Sequence, residues 1–251
     1  MNKEQRYLYE ILIDFSKICN VYNLRYFLVG GTLIGAIRHH DFIPWDDDID
    51  VAMPIDDYNI FLSHSNELPS HYRLFSPKFD KDFPYFNTKI FNCKANFTSP
   101  DEYKGYGKPL DIFPFYPSRN PGRGSLFLYN ILRVIGYVLM VKSGWTNFIP
   151  YKKLIARIGF RFLYYFPQKQ IKRLRSIIID MIAKENTDYC FSPGGANSSE
   201  KEFYPKKWFQ KTVEVEFGGH HFPAPQGWDA YLTQLYGDYM TPIEESGNPL
   251  P

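Results

Sequence analysis

The chain has 251 residues, 44% of them hydrophobic and 18% aromatic, with a formal net charge of +2. That length and apolar content support one large domain with a sizeable core and exclude disorder over most of the chain. Three scattered cysteines, Cys19, Cys93 and Cys190, without Cys-x-x-Cys or Cys/His ligand spacing, argue against a zinc site or a disulfide framework.

Residues 4–20 set Leu8, Ile11, Leu12, Phe15, Ile18 and Cys19 at helical spacing, which predicts an amphipathic first helix. This N-terminal stretch is too charged for a signal peptide. "RYFLVGG" reads as a short buried strand over 25–29 ending in paired glycines, and "TLIGAIRH" as one or two helical turns. "DIDVAMP" returns to strand character until Pro54, "IDDYNIFLSHS" is helical, and short strands follow at "YRLFS", "FNTKIF" and "LDIFPF". Residues 124–142, 151–166 and 168–184 read as helices. "TVEVEFGGHHFPAP" is a strand into a glycine turn, and "GWDAYLTQLYGDYM" a helix ended by Gly237. The expected fold is α+β (mixed α/β). It comprises a catalytic core over 1–118, a basic helical block over 119–200, and a segment over 201–251 returning to the core.

Charge follows the same division. Residues 119–184 hold thirteen of the 29 Lys and Arg and a single acid, Asp180, whereas residues 1–118 hold sixteen of the 27 Asp and Glu. An acidic front and a basic middle point to a cation site in one and an anionic surface or substrate near the other. Lys142, Lys152, Lys153, Arg157, Arg161, Lys169, Lys172, Arg173 and Arg175 sit among large apolar residues. Such helices either lie on anionic lipid or form a solvated basic surface. No apolar run reaches membrane-spanning length, because residues 125–142 are interrupted by Asn130, Arg133 and Gly136. The expectation is a cytoplasmic protein, peripheral to the inner face of the plasma membrane. No recognised nucleic-acid motif accompanies the basic block, so nucleic acid is not an expected partner.

The chemistry concentrates in "IPWDDDIDVAMP", residues 43–54, where Asp46, Asp47, Asp48 and Asp50 crowd five positions. In a strand, Asp48 and Asp50 share one face about 6–7 Å apart, a spacing that can clamp a divalent cation. An acidic first helical turn after Pro44 accounts for Asp46 and Asp47 but is resisted by Ile-Asp-Val. A calcium-stabilised loop lacks the alternating ligands and distant glutamate of that motif. Upstream, Gly30 and Gly31 end a strand and precede a helix start, an arrangement that lets backbone N–H groups approach a phosphate. Arg38 can grip a phosphate with two hydrogen bonds. For His39 and His40, surface or polar-core roles are the ordinary expectation.

This order of elements resembles the nucleotidyltransferase fold, in which a glycine pair precedes a D-x-D strand. More closely, "GGTLIGAIRHHDFIPWDDDIDVAMPIDDY" resembles the signature of the LicD family of phosphocholine transferases, with "KIF" (89–91), "LDIFPF" (110–115) and "YGDYM" (236–240) similar to later elements. Fukutin-type glycan phosphotransferases share that core. The resemblance implies magnesium, or manganese, on Asp48 and Asp50, with Asp111 as the third carboxylate and a candidate to orient or deprotonate the attacking hydroxyl. It implies donor phosphates held by Gly30, Gly31, Thr32, Arg38 and Lys89. The implied reaction moves phosphocholine, or a related phospho-alcohol, from CDP-choline or another CDP-alcohol to a hydroxyl of a cell-surface glycan, free or lipid-linked, releasing CMP. A nucleotidyl transfer with pyrophosphate release is the competing chemistry on the same acids. Aromatic faces commonly hold quaternary ammonium; Trp45, Tyr85, Phe86, Tyr106 and Tyr116 are the candidates nearest in sequence.

Overall fold

The computed structural model describes residues 1–94, 107–145, 154–185 and 187–241, with the side chains of 154–157 excepted. Tyr106, Lys152 and Lys153 lie outside these residues, and the side chain of Arg157 is likewise outside the description.

Helix α1 (Lys3–Val21) opens with a reciprocal cap in which Asn2 and Gln5 satisfy each other's backbone N–H groups. It buries Leu8, Ile11, Leu12, Phe15 and Cys19 against the sheet. The central sheet runs β1 (Phe27–Leu28), β2 (Ile49–Pro54), β5 (Pro109–Ser118), β4 (Thr88–Asn92) and β3 (Tyr72–Phe75) from edge to edge. Only the β2–β5 pair is parallel; the others are antiparallel. β2 and β5 are joined by a long excursion through α3 (Ile55–Ser63), β3 and β4, as a parallel pair requires. The last three residues of β5 run on to pair with β6 (Tyr189–Phe191), which pairs with β7 (Phe203–Pro205). The strand expected over 25–29 shrinks to two residues, because Gly30 takes a φ of +57° and starts α2 (Gly30–His39) at once.

Helices α4 (Arg123–Lys142), α5 (Leu154–Tyr164) and α6 (Gln168–Ile182) are inserted between β5 and β6. They build a second core around Tyr129, Leu132, Ile135, Ile171 and Ile179, joined by Phe191 and Phe203. The expectation that no run reaches spanning length needs correction: α4 is 20 residues long with a mean hydropathy of 1.6, long and apolar enough by composition to cross a membrane. Asn130, Arg133 and Gly136 do not interrupt it as a helix, and one third of its apolar window is buried within the protein. Lys172 and Arg175 also leave the surface set. Lys172 Nζ donates to the Phe83 carbonyl at 2.9 Å, and the buried Arg175 guanidinium donates to the Pro84 and Tyr85 carbonyls at 3.3 and 3.1 Å. Residues 83–85, which lead into β4, are thus tethered to α6.

The chain closes with the hairpin β8 (Thr212–Phe217) and β9 (His220–Pro225), turned by Gly218 and Gly219 with φ of +63° and +85°, and with α7 (Trp228–Tyr236). Gly237, at φ +73°, ends α7. Tyr231, Leu232 and Leu235 return α7 to the first core.

Candidate active site

The parallel pairing of β2 with β5 sets Asp50 directly opposite Asp111, and the antiparallel pairing of β5 with β4 sets Asp111 opposite Lys89. Asp50, Asp111 and Lys89 therefore form one row across three neighbouring strands, each step about 4.8 Å. Lys89 Nζ contacts both oxygens of Asp111, at 2.7 and 2.5 Å, with both residues buried. A buried carboxylate without a partner costs several kcal/mol, and Lys89 supplies that partner. The Lys89 ammonium also lies 4.7 Å from the centre of the Tyr85 ring, and Asn87 adds a hydrogen bond to Asp111.

Asp48 and Asp46 extend the cluster N-terminally. A turn over 43–46, closed by Asp46 N–H to Ile43 O at 2.9 Å, delivers the acids into β2. Gln5 holds it: its amide nitrogen donates to the carbonyls of Ile43, Pro44 and Asp46 at 3.3, 3.4 and 3.0 Å. No helix starts after Pro44. Asp47 points away, exposed and bonded to Lys108 at 2.6 Å. Asp46, Asp47 and Asp48 can bring ligand oxygens within 4.8 Å of one another; of these Asp47 is the exposed one. Burial, and then Asp48 and Asp111, raise Asp50, so the buried part of the cluster runs on through β2 to β5.

The glycine pair belongs to this cluster. A Cβ at Gly30 would lie 2.6 Å from Asp50 Oδ2, and one at Gly31 would lie 2.8 Å from Asp46 Oδ2. In the structure the space the glycines leave is occupied by carboxylates at the start of α2, where the helix dipole favours negative charge. Thr32 Oγ1 accepts the Asp50 N–H at 2.8 Å and fixes α2 to β2. Arg38 stands in the last turn of α2; one nitrogen donates to the Tyr239 carbonyl at 3.2 Å, and Nη2 is buried without a hydrogen-bond partner.

Enclosure and mutual repulsion disfavour the charged carboxylates. Burial first, and then neighbouring acids, push Asp46 up to about 6 and Asp48 up to about 7. The same causes hold Asp50 well above the ordinary carboxylate range. Asp111 is raised by burial, with Lys89 opposing. The set suits a hard divalent cation on its own chemistry: these oxygen donors are close enough to raise one another's carboxyls, and Asp46 Oδ2 is buried without a hydrogen-bond partner.

The aromatic residues nearest in sequence do not gather into one cage. Trp45 is exposed on the turn, Tyr85 lies beside Lys89, Phe86 beside the Arg175 guanidinium, and Tyr116 packs on Phe191. Rings from elsewhere approach the acids instead. Tyr231 hydrogen-bonds the Gly30 backbone, and the Tyr236 hydroxyl is held above its usual range by burial and then by Asp50. Gln5 and Tyr231 were beyond sequence reasoning, since each reaches the site from an element remote in the chain; Tyr236 opens the YGDYM stretch singled out by resemblance, but with no role attached. A cavity of about 450 Å³ beside Asp188, Lys206 and Lys207 includes none of Asp46, Asp48, Asp50 and Asp111.

Residues 23–129 match the family model described as LicD/FKTN/FKRP, nucleotidyltransferase domain. Over 267 aligned residues, 99% of this chain and 95% of the relative, the chain is 32% identical to the lipopolysaccharide cholinephosphotransferase LicD of Haemophilus influenzae. A 74-residue stretch, 30% of this chain and 24% of the relative, is 31% identical to an uncharacterized Rickettsia prowazekii protein. A 34-residue stretch, 14% of this chain and 7% of the relative, is 53% identical to the human ribitol 5-phosphate transferase FKRP. Likeness along nearly the whole length of both chains, and not only across the acidic signature, makes this chain a member of the LicD family of transferases.

Proposed function

We propose that the chain transfers phosphocholine, or a closely related phospho-alcohol, from a CDP-linked donor to a hydroxyl group of a cell-surface glycan. The observation that carries this reading is the Asp50–Asp111–Lys89 row beside Asp46, Asp48 and the glycine-walled start of α2. Lipopolysaccharide, the acceptor in the name of the Haemophilus relative, is the first acceptor class to test.

In the reaction a glycan oxygen forms a bond to the donor phosphorus next to the alcohol. The bond to the CMP oxygen breaks, CMP leaves with the electron pair, and the hydroxyl proton passes to a carboxylate or to water. Asp46, Asp48, Asp50 and Asp111 would hold magnesium or manganese. Such an ion, when bound, neutralises charge on the diphosphate as the bond breaks. With both of its oxygens on Lys89 Nζ, Asp111 serves to orient rather than to abstract a proton. The unpartnered Arg38 Nη2 is the group left to meet an anion from the far end of α2. A lipid-linked acceptor at the inner membrane face agrees with the apolar residues exposed on α5 and α6.

The test is to incubate the purified chain with magnesium and a panel of CDP-alcohols, following CMP with and without candidate glycans. Asp48→Asn and Asp50→Asn are expected to lower turnover at least 1,000-fold while the fold is kept. Pyrophosphate in place of CMP, or full turnover by either variant, would replace this reading with nucleotidyl transfer or remove the acids from it.

A further inference from the structure

We propose that the cavity of about 130 Å³ between β5, α7 and the 192–197 loop receives the quaternary ammonium head of the transferred group. The proposal rests on the donor reading above and deepens it.

The walls are rings. Phe113 and Phe115 follow Asp111 at two-residue steps along β5, and α7 contributes Tyr231 and Tyr236. Tyr204 closes the set, stacked on Phe115 with ring centres 5.4 Å apart. Asp50 and Gly30 line the same cavity, so it opens beside the acids. Two residues along a strand cover about 6–7 Å. The four bonds from phosphorus to nitrogen in phosphocholine, at about 1.5 Å each, span about 5 Å. A phosphate held beside Asp50 and Asp111 therefore has its cationic end among these rings.

The charge is of matching sign. Glu202 lines the cavity, is 2% exposed, and has no ion pair among the described residues. Its oxygens already accept hydrogen bonds, one from the Tyr204 hydroxyl at 2.6 Å and the other from the Asn197 N–H at 2.8 Å. It offers a ligand negative charge with little demand for a further donor. That suits trimethylammonium, which has no N–H, better than a primary ammonium, which must place three. Gly195 permits the arrangement, because a Cβ there would lie 1.9 Å from the Glu202 carboxyl group. No lysine, arginine or histidine is among the described residues that line this cavity. The neighbouring cavity, about 330 Å³ across the same Gly194–Ala196 wall, is lined by Arg133, Asn87 and Tyr137 and lacks that acidic character.

Calorimetric titration of the full chain with CDP-choline and with CMP, both with magnesium, tests this. The wild type is expected to bind CDP-choline about tenfold more tightly than CMP. Glu202→Gln, Phe113→Leu and Phe115→Leu are each expected to reduce that advantage several-fold while CMP affinity stays within twofold, which also shows that the variants are folded. In the wild type, tetramethylammonium is expected to weaken CDP-choline binding and leave CMP binding unchanged. A CDP-choline advantage untouched by all three variants, or insensitivity to tetramethylammonium, overturns the assignment. If the wild type binds neither CDP-choline nor CMP, the donor reading itself falls; if it turns over CDP-choline yet binds it no better than CMP, only the headgroup site falls.

Discussion

At Gly30 and Gly31 the backbone and the acids share one space. The contacts there separate two costs. At Gly30 an alanine would meet Asp50 at 2.6 Å from a left-handed backbone, adding about 1–2 kcal/mol of backbone strain to the collision. At Gly31 the backbone is ordinary, and the methyl meets only Asp46 at 2.8 Å. Gly30→Ala is therefore expected to lose both stability, by about 2 kcal/mol or more, and turnover. Gly31→Ala is expected to lose turnover at least tenfold with under about 1 kcal/mol of stability. Gly124→Ala, which meets nothing within 4 Å, serves as the neutral control. Urea unfolding and CMP release measure the two quantities; a fully active Gly31→Ala would take Asp46 out of the working set. Asp48 and Asp50 were legible in the chain because their spacing is local, whereas Asp111 entered only through the family resemblance. Gly30 and Gly31 read as a phosphate approach; the carboxylates that stand against them, twenty and fifteen residues away, are delivered by strand pairing for Asp50 and by the turn over 43–46 for Asp46, and neither is visible in local pattern.

Among the elements, α5 and α6 present an unusual outer surface. Ile158 and Phe162 stand four apart on α5 with Tyr165 just past its end, and Leu174, Ile177 and Met181 repeat at steps of three and four on α6, all exposed. Two helical stripes of this kind leave apolar side chains in water, with Arg161, Lys169 and Arg173 exposed on the same elements. Contact with an anionic membrane accounts for both features. Vesicles containing phosphatidylserine are expected to float the protein at low salt and to release part of it at high salt. Phe162→Ser with Ile177→Ser should abolish flotation without altering CMP release from the donor when a soluble acceptor is supplied. Flotation equal for neutral and anionic vesicles would deny a role to the basic residues, and no flotation at all would end the membrane reading. Helical periodicity announced these elements, and their ends fall within a few residues of the expected ones. Periodicity gave no account of Lys172 and Arg175, which read as surface charge. Both reach back about ninety residues to the carbonyls of 83–85, and a tether of that length leaves no trace in local pattern. β6 and β7, three residues each, were too short to announce themselves.

Taken as one molecule, the fold gathers carboxyl groups that repel one another along β2, the turn before it and β5, and that must show in how its stability varies with pH. An unfolded chain binds protons to Asp46 and Asp48 near 3.8; the folded chain holds them to about 6 and about 7, through burial first and neighbouring acids second. Between those values the native state carries more protons than the unfolded state, so the stability these groups contribute is present below about pH 4 and is lost as the pH rises toward 7. Asp50 and Glu202, both raised by burial, act in the same direction. With divalent ions removed by EDTA, the melting temperature is expected to fall by on the order of 5 °C between pH 5 and pH 8. A cation that binds only the folded chain restores stability by mass action, and protons compete with it less as the pH rises. Magnesium is therefore expected to raise the melting temperature more at pH 8 than at pH 5, with manganese acting alike. Asp48→Asn removes one of the repelling charges, so its EDTA profile should be flatter and its response to magnesium smaller. Scanning calorimetry of both proteins at the two pH values, with and without magnesium, measures all of these shifts. An EDTA profile that is flat for the native chain, or a magnesium response independent of pH, would mean that the four carboxylates do not form one electrostatic unit.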